Sequence, residues 1–241
     1  MNRNHLKIIA CISMLIDHIG YVLFPEIEVL RLIGRIAMPI FAFFIGEGCL
    51  YTKNRRKYFL RVFLLGLICQ AVYVAESLIS GSGNGAYLNI LLTFSFSILL
   101  CSAFLGAKQT FNEGSKKEIL SKSAIFTLTV IFFGGAMLFC QSSTEAIGIN
   151  VYFDYGACGI LLPLFAAVSR NKTKRLLIFS AALTAFVFIL YDSADYRLCA
   201  LIPLGLLMFY NGEGGKANLK YFFYAFYPCH LAAIYLLDYI I

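Results

Sequence analysis

From residue 6 to residue 240 the chain alternates long apolar stretches with short polar loops. Most of the stretches run for about 17–22 residues, the length an α-helix needs to cross bilayer hydrocarbon at about 1.5 Å per residue. Nine spans can be placed, at 6–24, 29–49, 58–79, 88–106, 122–141, 153–169, 174–191, 196–210 and 220–240. Hydrophobic residues fill 60% of the 241 positions and charged residues only 14%, more apolar surface than a soluble domain of this size needs. Pro25 and the runs Gly81-Ser82-Gly83-Asn84-Gly85 and Asn211-Gly212-Glu213-Gly214-Gly215 mark breaks. The pattern predicts an all-α fold, a polytopic transmembrane helical bundle forming one domain over 1–241. No internal repeat is evident, so an inverted-repeat transporter has no positive support.

The cations orient the bundle. Seventeen of the 20 Lys and Arg fall in alternate loops, and the exceptions are Arg31, Arg35 and Arg197. The opposite loops carry Glu26, Glu28, Glu145, Asp154, Asp192 and Asp195. The positive-inside rule then puts the N-terminus in the cytoplasm and the C-terminus outside. It also accounts for the net charge of +7 without a nucleic-acid partner. Residues 1–24 have the basic start and apolar run of a signal peptide, but Phe24-Pro25-Glu26 is no small-residue cleavage site. The first segment is therefore expected to remain as a transmembrane helix. Eight scattered cysteines form no C-x-x-C and no metal-ligand spacing, and read as small buried apolar residues.

Polar groups inside the spans carry the chemistry, because such groups are costly in hydrocarbon. Lys7 and His18 lie eleven residues apart in LKIIACISMLIDHIGYVLF. Eleven steps of about 100° make about three turns, so both leave one helix face, about 16 Å apart along the axis. His230, in YAFYPCHL, lies about 15 Å from the Lys220 end of its own span, near the depth of His18. Pro228 beside it frees a carbonyl and can kink the helix. Asp17 adjoins His18 but cannot face it, so a pair with Arg35 or Arg31 of the second span is expected. Asn89, Asp154 and Tyr155 open spans 4 and 6 on the outer side. They either orient an acceptor or cap helices, and Tyr227 joins them as an acceptor contact. The loop YTKNRRKYFLR holds Arg55, Arg56 and Arg61 beside the membrane. It serves topology and anionic lipid, or a phosphate site. No Walker A or dinucleotide fingerprint is present.

The runs LKIIACISMLIDHIGYVLFP, RLIGRIAMPIFAFFIGEGCLYTKNRRKYFLRVF, LNILLTF, DYGACGILLP and YAFYPCHL resemble the TraX family, over about residues 6 to 236. That resemblance implies a multi-pass protein of the bacterial inner membrane that N-acetylates the N-terminus of a pilin. A cation, ten residues and a histidine in the first span is also similar to the membrane acyltransferase-3 group, as is the late Tyr-to-His run. Enzymes of that group carry acetyl groups from cytosolic acetyl-CoA to outside acceptors. By that likeness Lys7 and His18 take the motif positions, while Arg31 and Arg35 depart from the group's arginine spacing.

Together these readings predict an acetyl-CoA-dependent acyltransferase. Lys7, Arg31, Arg55, Arg56 and Arg61 would hold the donor's phosphates. The pantetheine arm would pass Cys11 and Met14, and His18, Asp17, Arg35 and His230 would form the catalytic group. His18 would act as general base or as nucleophile, and Arg35 or Arg31 would stabilise an oxyanion if not engaged by Asp17. The acceptor is a pilin-like amine, or a hydroxyl of an envelope glycan or lipid. A proton-coupled transporter using the same buried charges is the reading from a different class.

Overall fold

The computed structural model describes residues 1–81, 87–113, 115–147 and 152–241. Residues 82–85 of the glycine-rich break and the side chain of Glu145 lie outside the described residues. Helix dominates throughout. In chain order the elements are α1 (Arg3–Val22), α2 (Glu28–Gly34), α3 (Ala37–Tyr51), α4 (Arg55–Ser80), β1 (Tyr87–Leu88), α5 (Ile90–Glu113) and α6 (Lys116–Ile147). Then follow β2 (Tyr152–Phe153), α7 (Gly156–Ala167), α8 (Lys172–Leu190), α9 (Ala194–Met208) and α10 (Lys220–Ile240). Five helical segments among the described residues are long and apolar enough to cross a membrane: Arg3–Val22, Glu28–Tyr51, Arg55–Ser80, Ile90–Phe111 and Lys172–Leu190. Their outward surfaces are apolar too. On α4, Leu60, Leu64, Leu67 and Ile68 are 44–56% exposed, a stripe that calls for lipid rather than water.

The predicted second span is broken in two. Pro39 has no N–H for the Arg35 carbonyl and its ring crowds that carbonyl, so it is tolerated only in the first turn of α3. The chain tightens at the break, with Arg35 N–H donating to the Leu32 carbonyl (3.1 Å) and Ile36 N–H to that of Ile33 (3.2 Å). The Ser13 hydroxyl of α1 also donates to the Ile33 carbonyl at 2.6 Å, which ties α1 to the break.

Two compact units emerge, Met1–Phe43 with Asn171–Ile241, and Phe44–Arg170. In the first, α1 packs on α2 and α10, α8 on α9, and α2 on α9. Asn2 caps α1 by accepting from His5 N–H (3.0 Å), and Asn171 caps α8 by accepting from Lys174 N–H (3.0 Å). Phe43 meets Phe179 and Tyr210 edge-on, at centroid separations of 5.3 and 6.3 Å. Lys7 lies over the Phe223 ring at 5.4 Å, and His18 meets His230 farther along. Both contacts advance together along both helices, so α1 and α10 run parallel.

In the second unit α5 lies against α4, α6 and α7. Small residues allow the approach. A Cβ on Gly66 would stand 2.9 Å from Leu92 Cδ2, and Ser97 Oγ donates to the Thr93 carbonyl (3.2 Å) and the Gly159 carbonyl (3.3 Å). β1 and β2 form a two-residue parallel pair, Tyr87 beside Tyr152 and Leu88 beside Phe153. This pair is the one departure from helix among the described elements, and it fixes the segments that open α5 and α7.

Candidate functional site

His18 leaves α1 toward α10. Its Nδ1 lies 2.9 Å from the Met14 carbonyl and 3.1 Å from His230 Nε2. His230 Nδ1 lies 2.8 Å from the Phe226 carbonyl. A carbonyl oxygen can only accept, so Nδ1 of each ring carries hydrogen. His230 Nε2 is then the acceptor for the His18 Nδ1–H, which it shares with Met14. The arrangement assigns the lone pair of His18 to Nε2, the atom left for chemistry. The same contacts hold if His18 takes a second proton, because Nδ1–H still finds two acceptors. His230 is itself held by packing. It is 6% exposed, stacked on Phe226 at 4.9 Å and edge-on to Tyr227 at 5.3 Å. Tyr227 also stands edge-on to His18 at 6.4 Å, so this acceptor-contact candidate lies beside the imidazole pair.

Asp17 turns the other way. Its carboxylate meets Arg31 Nη1 at 2.9 Å and Arg35 Nη2 at 2.6 Å, the pairing expected from depth. Arg31 Nη1 also donates to the Asp17 carbonyl (3.2 Å), and Arg35 Nε donates to the Arg31 carbonyl (3.0 Å). Arg31 lies over Tyr21 at 4.9 Å, and Arg35 lies 5.8–6.0 Å from the rings of Tyr196 and Tyr191. Two expectations change here. Arg31 sits with Asp17 rather than with Lys7 at the other end of α1, because the hairpin into α2 places it opposite the last turns of α1. Arg35 is engaged by Asp17, which removes the condition under which it was to hold an oxyanion.

Lys7 opens onto a cavity of about 370 Å³ whose lining includes Arg3, Lys7, Lys216, Lys220, Phe223 and Tyr224. Its wall is the loop between α9 and α10, pinned to the start of α1. Arg3 N–H donates to the Glu213 carbonyl (2.8 Å), Asn211 N–H to that of Met1 (2.9 Å), and Asn4 Nδ2 to that of Ala217 (2.7 Å). Lys220 also lies 5.6 and 5.8 Å from the rings of Tyr221 and Tyr224. The cavity ends at Lys7, Phe223 and Tyr224. Cys11 and Met14, farther along the stripe toward His18, are 4% and 6% exposed. The stripe between cavity and imidazole is therefore packed side chain, and an arm passing along it must part that packing.

The remaining candidates lie in the second unit. Arg55 is half-buried and donates from Nε to the Cys49 carbonyl (3.2 Å), Arg61 donates to the Lys57 carbonyl (3.0 Å), and Arg56 is exposed. Asn89 is wholly buried. Its Nδ2 donates to the Gly66 carbonyl and to Gln70 Oε1 (2.9 Å each), and its Oδ1 accepts from Leu91 N–H (3.0 Å). It is a cap for α5 that also ties α4. Asp154 does not cap α7. Tyr155 holds that position in the left-handed region at φ 57°, with no side-chain cap, and the Asp154 carboxylate turns to the Tyr87 hydroxyl. Burial first, and then Asp154, push the Tyr87 phenol upward.

Sequence reasoning put His18 and His230 at one depth without pairing them. It counted Arg3, Lys216 and Lys220 only as topology signals. The signal available for the two lysines was the glycine-rich run 211–215 followed by Lys216 and Lys220, just before the helix that starts beside α1.

The TraX protein family matches residues 2–238 of the chain. The chain is 26% identical to the probable fimbrial assembly protein FimC, serogroup H1, of Dichelobacter nodosus, over 97% of both chains. It is 48% identical to uncharacterized protein RP591 of Rickettsia prowazekii (strain Madrid E), over 86% of this chain and 70% of the relative. No solved structure matches.

Proposed function

The chain belongs to the TraX family, and from that premise we propose that it is an integral membrane acetyltransferase. It moves an acetyl group from cytosolic acetyl-CoA to the N-terminal amine of a pilin-like protein at the outer face. The observation that carries the reading is the His18–His230 hydrogen bond, which leaves a lone pair on His18 Nε2 inside a membrane helix. The fimbrial assembly name of the Dichelobacter relative supports the choice of a pilin-like acceptor. Parallel α1 and α10 fit an odd number of crossings. Nine crossings, with the N-terminus and Lys7 on the cytosolic side, agree with the cation distribution.

In this mechanism His18 Nε2 takes the proton from the acceptor amine as its nitrogen attacks the thioester carbonyl carbon. The C–N bond forms and the C–S bond breaks. The proton then passes from Nε2 to the departing thiolate, giving free CoA thiol and the acetylated amine. His230 acts as a positioning residue. It holds the Nδ1–H tautomer of His18 and accepts from that N–H while the ring is charged, the part a third group plays behind a general base.

The test uses purified full chain in lipid nanodiscs, radiolabelled acetyl-CoA, and pilin peptides with free or blocked N-termini. Label is expected on the free amine only, and His18→Ala is expected to abolish transfer while keeping CoA binding. Near-normal transfer by His18→Ala would sink the mechanism. Acetyl found on His18 without acceptor would make the ring a nucleophile instead of a base, and label on glycan or lipid hydroxyls would move the acceptor.

A further inference from the structure

We propose that the cavity at the start of α1 and α10 is the seat for the phosphates of the acyl donor, held by Arg3, Lys7, Lys216 and Lys220. This rests on the acetyltransferase reading and assigns its donor site to residues that neither the family match nor the relatives' names identify.

Three observations carry it. First, the charge is one-sided. Four cationic side chains line about 370 Å³, and the lining holds no carboxylate. Glu213 in the same loop lines the adjoining cavity of about 740 Å³, which shares Asn4, Lys216 and Ala217 with this one, and its carboxylate accepts from Asn211 Nδ2 at 2.9 Å. A cluster of cations at one cavity suits a polyanion, since each phosphate oxygen gains a charge-assisted bond and the cations cease to repel one another. Second, the site is built before any ligand arrives. Backbone and side-chain bonds to Met1, Arg3 and Asn4 pin the loop, with Asn211 N–H donating to the Met1 carbonyl at 2.9 Å, Asn4 Nδ2 to that of Ala217 at 2.7 Å and Arg3 N–H to that of Glu213 at 2.8 Å. Binding then costs little ordering of the chain. Third, the cavity shares its wall with the catalytic stripe. Lys7 belongs to the lining and to the α1 face that ends at His18, about 16 Å farther along the helix. A ligand with phosphates at one end and a thioester at the other end of a flexible arm matches that layout. Phe223 and Tyr224, also in the lining, offer aromatic faces to a base.

Isothermal titration of the purified full chain in nanodiscs tests this, with CoA and dephospho-CoA as probes. CoA is expected to bind more tightly than dephospho-CoA, and salt to weaken both. The double variant K216Q/K220Q is expected to weaken CoA binding about tenfold or more and to erase the difference between the probes. K216R/K220R should retain both properties, which separates lost charge from lost structure. Unchanged CoA affinity in K216Q/K220Q overturns the seat, and continued acetyl transfer in that variant would leave the acetyltransferase reading standing. Loss of binding in R55Q/R56Q/R61Q with none in K216Q/K220Q likewise overturns it. No CoA binding by the wild type overturns seat and reading together. A variant whose only change is weaker dependence on phosphatidylglycerol, against phosphatidylcholine nanodiscs, assigns the cations to lipid headgroups and overturns the donor seat.

Discussion

His230 Nε2 accepts from His18 Nδ1–H across 3.1 Å, and the bond has a fixed direction. Each ring turns its Nδ1 to the carbonyl four residues before it, Met14 for His18 and Phe226 for His230. Neither ring can reverse its role without setting a lone pair against a carbonyl oxygen.

Replacing His230 should therefore act through His18. His230→Phe keeps an aromatic ring but no acceptor, and it is expected to lower kcat for acetyl transfer by about 100-fold. KM for the donor should change little. His230→Gln places an amide oxygen at the reach of Nε2 and should recover part of the loss. A merely structural His230 would instead give parallel losses of folding and activity, visible as a lowered thermal midpoint in His230→Phe.

The Asp17 cluster is a fold element in which one carboxylate serves two guanidinium groups. Asp17→Asn leaves both arginines uncompensated in an apolar setting, and is expected to cost about 3 kcal/mol or more. Arg31→Gln should cost less than Arg35→Gln, because the Arg31 side chain is 27% exposed and that of Arg35 only 10%. Unfolding in mixed micelles ranks the three. If Arg31→Gln proves the most damaging, exposure is not what sets the energetics.

How much of this was legible beforehand depended on range. Hydrophobic length located the five segments that are long and apolar enough to cross a membrane among the described residues, because crossing a bilayer demands one long apolar stretch per span. The Asp17–Arg35 pair followed from depth, since a buried charge must find an opposite one. The break at Arg35 escaped because Pro39 sits in an otherwise unbroken apolar run, and only its missing N–H interrupts the ladder. Asp154 reads as either orienting an acceptor or capping the helix that follows it. The parallel bridge of Leu88 and Phe153 and the Tyr87 hydroxyl, 67 residues away in sequence, turn it away from the cap. The cavity cations were hidden for a similar reason. Arg3 and Lys216 become neighbours only through a loop pinned across the ends of two helices, and no local pattern records that contact.

Gly34 shows how tightly the first hairpin closes. A Cβ there would collide with the Asp17 carboxylate, so Gly34→Ala must push that carboxylate off Arg35. The expected loss is of the size seen for Asp17→Asn. In the double variant with Asp17→Gly the added cost of Gly34→Ala should shrink, because the colliding carboxylate and its Cβ are both gone. Additive losses in a double-mutant cycle would contradict this account.

Glu118 supplies a pH-dependent contact at the start of α6. It accepts from Ser115 N–H (2.9 Å) and from the Ser115 hydroxyl (3.1 Å), in a capping-box arrangement. These bonds favour the charged carboxylate and lower its pKa. A folded pKa below the unfolded value means the contribution is present at neutral pH and fades as pH falls through the folded pKa. Protection of the amides in the first turn of α6, taken relative to the intrinsic exchange rate at each pH, should fall in acid, and Glu118→Gln should lose that acid sensitivity. Protection equally acid-sensitive in the variant would assign the effect to another group.

Gly215 sets the shape of the cavity wall. Its φ is +88°, and an added Cβ would stand 2.9 Å from Asn4 Nδ2 and 3.2 Å from Asn2 Cγ. Alanine pays for the left-handed backbone by about 1 kcal/mol, and it also pushes on the Asn4 amide that holds the Ala217 carbonyl. The loop is small and surface-facing, so the spans should keep their stability. Gly215→Ala is thus expected to weaken CoA binding several-fold while the thermal midpoint stays within a degree or two. Asn4→Ala, which removes the same tether from the other side, should behave alike. Hydrogen exchange at the amides of residues 211–219 gives a direct readout, faster in both variants if the wall has loosened. Faster exchange with unchanged CoA affinity would mean that the wall's shape is irrelevant to the donor, and that the cations act without it.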